Sequence, residues 1–165
     1  MQKTVFLRHL ALVVCGALAC AHARAQLRDV ELKAAFIYNF VQFTVWPDSG
    51  RAREPFLVCA SPESALWSSL LSFNGKAVNG RPWSTVDAGS RPKPGDCSVL
   101  VLARSGERPA PVQGMLVVRD GAGRGAAITL VDGDEHVRFD VDTEEAARSG
   151  LRFSSKLLRL ARNVL

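Results

Sequence analysis

The stretch AITLVDGDEHVRFDVDTEEAAR, residues 127–148, decides the fold class. Two runs rich in β-branched and aromatic residues, Ala127–Val131 and His136–Val141, flank a turn with an Asp-Gly pair at Asp132–Glu135. An Asp-Gly pair between two such runs is a strong signal for an antiparallel hairpin. Thr143 is expected to cap a following helix, because a threonine side chain accepts a hydrogen bond from a free backbone amide of the first turn. The stretch therefore predicts two hairpin strands followed by a helix.

Short apolar runs before the hairpin predict further strands. These runs are Phe56–Ala60, Trp83–Val86, Cys97–Leu102 and Met115–Val118. Helices are predicted over residues 28–46, from Ser61 onward, and at the C-terminus with Ser154 or Ser155 as the cap. Alternating strands and helices with a late hairpin predict an α/β fold, a single-domain sandwich with a mixed β-sheet flanked by helices.

The length and composition are those of one globular domain. The chain has 165 residues, of which 47% are hydrophobic and 22% charged. Both fractions are close to those of ordinary folded proteins, which excludes a disordered chain, a coiled coil and a collagen-like repeat. A chain of this length can bury enough surface for one proper core.

The first 25 residues have the organisation of a secretory signal peptide. Lys3 and Arg8 precede the apolar run Leu10–Ala21, and Ala23-Arg24-Ala25 supplies small residues at a cleavage site. We therefore expect a signal peptide at residues 1–25 and a mature domain at residues 26–165. Twelve apolar residues are too few to cross a bilayer, which needs about 20. An uncleaved anchor and lipidation at Cys20 are the alternatives.

Loss of the signal peptide simplifies both the charge and the cysteine chemistry. The net charge falls from +5 to +2, because three basic residues and no acidic residue are removed. A net charge this small argues against nucleic acid as a partner. Only Cys59 and Cys97 remain, so an oxidising compartment allows one intramolecular disulfide. Two buried free thiols are the alternative.

The residues that could carry catalysis or hold a metal are few. His136 is the single histidine after cleavage, so a zinc site of ordinary composition has too few ligands. A Ser-His-Asp or Cys-His site would have to use His136, which lies on a predicted hairpin strand and is expected to be a surface histidine. The acidic turn at Asp132–Glu135 lacks the spacing of a calcium loop. Gly121–Gly125 precedes a strand rather than a helix, unlike a dinucleotide loop. The sequence therefore predicts a protein that is not an enzyme, with no cofactor and no metal.

Two predicted helices carry surface that suggests partners. The helix over 28–46 is apolar well beyond one stripe, so it is either deeply buried or covered by a second copy in a homodimer. The C-terminal helix is predicted to combine an apolar stripe with a basic face. The stripe is Leu157, Leu160, Ala161 and Val164, and the basic face is Lys156, Arg159 and Arg162. That basic face is either solvated or in contact with an acidic partner or a small anion.

Two segments of the chain resemble the YfiR family. The first segment is LKAAFIYNF at residues 32–40, followed by Phe43-Thr44 and Trp46-Pro47. The second segment is VRFDV at residues 137–141, followed by Ala146–Arg148, Gly150–Arg152, Ser154–Leu158 and Leu160-Ala161. Cys59 and Cys97 also fall in predicted strands where that family places paired cysteines. The chain departs from the family at Asp140-Val141-Asp142, where Glu-Ile-Asn is frequent, and it lacks the second cysteine pair of some members.

The resemblance implies a periplasmic α/β protein, usually dimeric, that represses a membrane diguanylate cyclase by engaging the cyclase's periplasmic portion. It further implies that an OmpA-like outer-membrane lipoprotein can sequester the repressor. The competing interpretation is a periplasmic module that senses a small ligand and has no cyclase partner. Arg138, Arg152 and the nearby helix start would hold a small anion in that case.

The partner contact is expected around the late hairpin and the helices after it. The candidate residues are Arg138, Phe139, Asp140, Glu144, Arg152 and Phe153. Aromatic and arginine side chains supply much of the energy of protein interfaces, and charges orient the partner. The alternative is that Phe139 and Phe153 both belong to the core and contribute only to folding.

Overall fold

A computed structural model describes residues 27–47, 55–90, 94–107, 109–133 and 136–165. The predicted signal peptide lies outside the described residues, and so do Asp134 and Glu135 of the predicted hairpin turn.

The described residues form ten strands and four helices. The strands are β1 (Thr44–Val45), β2 (Phe56–Ala60), β3 (Ala77–Val78), β4 (Arg81–Asp87), β5 (Val99–Leu102), β6 (Leu116–Asp120), β7 (Ile128–Val131), β8 (Arg138–Val141), β9 (Arg152–Phe153) and β10 (Asn163–Val164). The helices are α1 (residues 27–42), α2 (Trp67–Leu71), α3 (Thr143–Arg148) and α4 (Ser155–Leu160).

Within the described part of the chain, eight strands form one mixed sheet in the order β10-β8-β7-β6-β5-β2-β4-β3. The five strands from β7 to β4 in this order are parallel, while β7 and β8 form an antiparallel hairpin with Ile128 opposite Val141. β1 and β9 form a separate antiparallel ribbon. The predicted α/β fold with a mixed sheet and the predicted late hairpin are both confirmed.

The sheet has two differently covered faces. On one face, α1 contributes Ala34, Ile37, Phe40 and Val41 to the larger hydrophobic core. Successive side chains of a strand point to opposite faces, so Val99 and Val101 of β5 join this core while the intervening Leu100 does not. Leu100 instead packs against a smaller cluster on the other face. That cluster consists of Cys59, Cys97, Met115, Val117 and Ala126.

The first helix ends earlier than the sequence predicts, so the expectation of a helix through residue 46 is wrong. Thr44 and Val45 form β1, and Thr44 pairs with Phe153 of β9. The Thr44 hydroxyl donates to the Phe40 carbonyl at 2.7 Å, and Trp46 Nε1 donates to the Val41 carbonyl at 3.1 Å. These side chains donate to carbonyls of the last helical turn, while the β-branched pair Thr44–Val45 continues as a strand.

The apolar residues of α1 do not form the broad uncovered surface that the sequence suggests. Phe36, Tyr38, Phe43 and Trp46 are half-buried and pack against the larger core of the same chain. Tyr38 and Phe73 stack with ring centres 4.9 Å apart, and Trp46 meets Phe56 edge-on at 5.1 Å. Much of the apolar surface of this segment is therefore covered within the chain, whereas Leu27 and Leu32 of α1 remain 59% and 40% exposed.

The C-terminal helix is also shorter than predicted, and its expected apolar stripe is wrong. α4 ends at Leu160, and Asn163–Val164 pairs in parallel with β8. Leu160 and Val164 are 70% and 50% exposed. Arg162 has left the helix, so it cannot belong to a helical basic face. Hydrogen bonds from the amides of Arg162 and Leu165 to β8 carbonyls, both at 2.8 Å, favour this extended end over helix.

Three local expectations need smaller corrections. Helix α2 starts at Trp67 rather than after Ser61, whose hydroxyl instead accepts from the Glu63 amide in a turn. Asp142, not Thr143, caps α3 by accepting from the Glu145 amide at 2.9 Å. Cys97 lies just before β5 rather than in it. The predicted cap of the last helix is confirmed, with Ser154 accepting from the Leu157 amide.

Candidate partner-binding surface

The candidate residues on strand β8 point alternately to the two faces of the sheet. Arg138 is exposed and Asp140 is half-buried. Phe139 and Val141, which alternate with them along the strand, are buried in the larger core. Alternation along the strand is the physical cause. β8 therefore presents Arg138 and Asp140 outward and holds its place in the sheet through Phe139 and Val141.

Phe139 lies inside the protein. Its side chain is 4% exposed, and its ring centre lies 4.7 Å from that of Phe40 and 5.8 Å from that of Phe36. Tilted aromatic pairs at such distances add to the stabilisation from burial. Phe139 therefore influences any outer surface by anchoring β8 to α1, as in the structural alternative considered from the sequence.

Asp140 is the centre of an ordered polar network. Arg162 donates from Nε to Oδ1 at 2.9 Å and from Nη2 to Oδ2 at 2.5 Å, and Asn163 Nδ2 donates to Oδ1 at 2.9 Å. These hydrogen bonds, led by those from Arg162, hold the pKa of Asp140 below its ordinary value, although partial burial acts in the opposite direction. A two-pronged guanidinium–carboxylate contact also fixes the direction of both side chains.

A groove of about 530 Å³ adjoins this network. Its lining residues are Gly123, Arg124, Gly125, Ala126, Thr129, Asp140, Asp142, Glu145 and Leu165. The carboxylates in this wall have partners within the chain. Asp142 caps α3, and Glu145 accepts from Arg148 at 2.6 Å. The groove is therefore a shaped polar surface rather than a set of free carboxylates.

Glu144 lies one residue before Glu145, in the first turn of α3. Its side chain is exposed, and its Oε2 lies 3.8 Å from Arg148 Nη2. We call Arg138, Asp140 and Glu144 the edge patch, because they belong to β8 and the helix after it, beside the edge strand β10.

Arg152 and Phe153 lie on the β1–β9 ribbon. Arg152 is exposed and pairs with Val45, which is 51% exposed, while Phe153 is half-buried and packs against the larger core. The Ser154 amide donates to the Phe43 carbonyl at 2.9 Å, which ties the ribbon to the end of α1. We call Val45, Arg152 and Phe153 the ribbon patch.

The structure thus divides the six candidate residues. Three form the edge patch, two belong to the ribbon patch, and Phe139 is in the core. Among the described residues, no hydrogen bond, ion pair or ring contact joins the edge patch to the ribbon patch. The two arginines suggested for an anion, Arg138 and Arg152, accordingly stand on separate elements.

Two buried cations were not identified from the sequence. Lys33 of α1 forms ion pairs with Asp120 at 2.8 Å and Asp132 at 2.7 Å. Burial alone would lower the pKa of Lys33, but the two carboxylates outweigh burial and raise it. The position of Lys33 within the apolar repeat of the helix was the available signal, since a lysine on an inner face needs a partner.

Arg119 of β6 is the second buried cation. It is 2% exposed and donates to the carbonyls of Ala103, Arg104 and Gly106 through Nη1 and of Arg124 through Nη2, at 2.7–3.2 Å. The two loops that it joins flank β6, and one of them supplies Gly123–Gly125 to the groove wall. The available sequence signal was that the charged Arg119 directly follows the apolar run Met115–Val118, which predicts a buried strand.

Cys59 and Cys97 form a disulfide with a Cα–Cα distance of 5.9 Å, as predicted. Both cysteines are buried in the smaller cluster, where the bond joins β2 to the segment before β5. A structural disulfide is typical of proteins outside the cytosol.

No group of three or more His, Cys, Asp or Glu side chains among the described residues could hold a metal ion. Nor does any helix in this part of the chain have the length and apolarity to cross a membrane.

Comparison with known proteins agrees with the resemblance seen in the two sequence segments. No curated protein matches the chain. A family model described as YfiR/HmsC-like matches residues 30–162, which run from α1 to the residue before β10 and include both patches and the disulfide. The chain therefore belongs to the YfiR/HmsC-like family.

Proposed function

We propose that this protein binds the periplasmic portion of an inner-membrane diguanylate cyclase and inhibits it, which lowers cyclic di-GMP and biofilm formation. Family membership supports a periplasmic regulator of diguanylate cyclase signalling in general. The observation that carries the finer proposal is exposed Arg152 beside exposed Val45 on the ribbon patch, and the edge patch adds an ordered, charged surface.

The edge patch suits a protein partner because part of it is already ordered. Arg162 and Asn163 fix Asp140, so binding does not have to immobilise that carboxylate. Arg138 is exposed, and no described residue forms an ion pair with it. An exposed guanidinium beside a fixed carboxylate presents both charges, which steers and orients a partner of complementary pattern.

The ribbon patch offers a different kind of contact. Exposed Val45 beside exposed Arg152 combines apolar area with a cation, while the neighbouring Phe153 packs against the larger core. Arginine and aromatic residues are enriched among the side chains whose truncation most weakens protein interfaces. We assign Arg152 as the cyclase-binding residue whose loss has the largest effect.

The same proposal includes export and assembly. Cleavage after Ala25 releases a mature chain from Gln26 into the periplasm, where the Cys59–Cys97 disulfide forms. The mature protein acts as a homodimer, and an OmpA-like outer-membrane lipoprotein competes with the cyclase for it. Family resemblance supports these last two steps. N-terminal sequencing and sedimentation of the mature protein test the cleavage site and the dimer.

The decisive experiment combines a gene deletion with two charge reversals. Deletion is expected to raise cyclic di-GMP and surface attachment. Arg152→Glu is expected to raise cyclic di-GMP toward the level of the deletion strain, with normal secretion and thermal stability. Arg28→Glu is the matched control, since Arg28 is also exposed but lies on α1 about 20 Å along the helix axis from its C-terminal end. The β1–β9 ribbon is attached near that C-terminal end.

Three outcomes would contradict the proposal in different ways. Unchanged cyclic di-GMP on deletion would eliminate repression and favour the small-ligand-sensing module. A normal cyclic di-GMP level with Arg152→Glu would remove the ribbon patch from the interface. Equal effects of Arg152→Glu and Arg28→Glu would show that overall charge, rather than the ribbon patch, governs binding.

A further inference from the structure

The turn between β3 and β4 consists of Asn79 and Gly80. Both residues have positive φ, 49° for Asn79 and 75° for Gly80, as in the two-residue turns that asparagine-glycine pairs favour in hairpins. Both residues are exposed, and an added Cβ at Gly80 would meet no atom within 4 Å. The turn is therefore open to solvent and sterically unconfined.

A second asparagine-glycine pair, Asn74–Gly75, lies five residues earlier in the chain and is held very differently. The Gly75 amide donates to the Trp83 carbonyl at 2.9 Å. The Asn74 side-chain oxygen accepts from the Thr85 amide at 2.8 Å. Both the backbone nitrogen and the side-chain amide of this pair are thus engaged in short hydrogen bonds.

The Asn79–Gly80 pair lacks this protection. No hydrogen bond from the Gly80 amide is found among the described residues. The Asn79 side chain has only a long contact, from Nδ2 to the Val41 carbonyl at 3.5 Å, beyond the usual range for an amide hydrogen bond.

We propose that Asn79–Gly80 is a site of spontaneous deamidation in the folded protein, whereas Asn74–Gly75 is protected. The Gly80 nitrogen loses its proton and attacks the Asn79 side-chain carbon, forming a carbon–nitrogen bond. The bond to Nδ2 then breaks, and ammonia leaves with the proton. Water opens the resulting five-membered imide at either carbonyl, which gives aspartate or isoaspartate. Glycine at the second position permits the attack because it has no Cβ to obstruct it.

The aspartate or isoaspartate formed at position 79 would weaken the contact between the β3–β4 hairpin and α1. The new carboxylate replaces a donor that points toward the Val41 carbonyl, at the negative end of the helix. Isoaspartate also adds a backbone atom to a two-residue turn that sets the register of β3 and β4. The remaining described hydrogen bond between the hairpin and α1 runs from the Tyr38 hydroxyl to the Ala77 carbonyl at 3.0 Å.

The test compares the two pairs within one molecule. Folded, oxidised protein is incubated in mildly alkaline buffer, and peptide mass mapping follows the amide-to-acid conversion at each asparagine. We expect Asn79 to react at least roughly ten-fold faster than Asn74, the factor that corresponds to about one net hydrogen bond. In denaturant the two rates should become similar, because the local sequence is Asn-Gly at both sites.

Asn79→Gln and Asn74→Gln identify the reacting residue, since glutamine would have to close a larger ring. We expect Asn79→Gln to leave only the slow conversion at Asn74 in the folded protein, and Asn74→Gln to leave the conversion at Asn79 unchanged. Equal rates at the two sites in the folded protein, a faster Asn74, or no conversion at either site would each overturn the proposal.

Aspartate variants test the consequence of the reaction. Asn79→Asp should lower Tm by roughly 2–4 °C, because it places a negative charge near the Val41 carbonyl, at the negative end of the helix. Asn74→Asp is the matched control, since an aspartate oxygen can still accept from the Thr85 amide. Equal Tm values for the two variants would refute the proposed loosening of the hairpin.

Discussion

The two faces of the central sheet are stabilised in different ways. The face under α1 is covered by aromatic and aliphatic side chains, with Phe40 at the meeting point of α1 and β8. The opposite face has a smaller apolar cluster, supplemented by one disulfide and one buried arginine that binds four carbonyls. Where no long helix covers the sheet, a few specific bonds take the place of buried area.

The largest expected effect comes from opening a cavity on the helical face. Phe40→Ala should reduce the free energy of unfolding by about 4 kcal/mol, because the side chain is fully buried between Phe36 and Phe139. Denaturant unfolding of the oxidised protein gives this value. Phe36→Ala, at a half-buried position, should cost less. Equal costs for the two variants would mean that burial does not set the stability of this face.

Next in size is the disulfide on the opposite face. Cys59 and Cys97 are 38 residues apart, so the Cys59→Ala/Cys97→Ala double variant should lose roughly 3–4 kcal/mol of the free energy of unfolding, chiefly because the unfolded chain regains freedom. Reducing agent should destabilise the parent protein and leave the double variant unchanged. A loss larger than that of Phe40→Ala would reverse the ranking of the two faces.

A smaller loss is expected at Arg119. Arg119→Met should lower the free energy of unfolding by about 2 kcal/mol, because carbonyls in two loops lose their donor while the apolar stem is kept. Gly123 passes so close that its Cβ, if present, would lie 2.6 Å from Arg119 Cδ. Arg119→Lys, which cannot reach the same carbonyls together, should behave similarly. Full stability of the lysine variant would show that charge alone suffices.

The smallest effect should be the acid sensitivity of the sheet edge. The pKa of Asp140 is lowered in the folded protein. The contribution of Asp140 to the free energy of unfolding is therefore complete above the ordinary carboxyl pKa, and it is lost as pH falls through the pKa of the folded state, below about pH 4. Unfolding measured against pH should show this loss in the parent protein. Arg162→Gln should flatten the loss, since the guanidinium supplies the main hydrogen bonds. An identical acid profile for both proteins would contradict this origin.

Much of the fold could be predicted because its signals are local. Polar–apolar alternation and the Asp-Gly turn predict the β7–β8 hairpin, and the serine cap predicts the start of α4. Neither prediction needs information from distant parts of the chain. The end of the chain could not be predicted in this way. Residues 156–165 have helical periodicity, and β10 forms only because β8 is present to accept its amides. Tertiary pairing overrides local preference there.

The candidate surface was located only in part, for a related reason. The polar-apolar alternation Arg138-Phe139-Asp140-Val141 already indicates that Phe139 faces the core, and the structure agrees. Arg162 as the partner of Asp140 could not be inferred, because it depends on the turn after α4 that redirects the chain. The pairing of β9 with β1 joins residues that are more than a hundred positions apart.

The position of β10 makes two neighbouring elements depend on one short segment. Leu165 accepts from both the amide and the hydroxyl of Thr143, and its own amide donates to the Val141 carbonyl. Arg162 and Asn163, in the same segment, hold the Asp140 carboxylate. A protease cut after Ala161 would therefore remove the partner of the first residue of α3 and the partners of the β8 carboxylate in a single step.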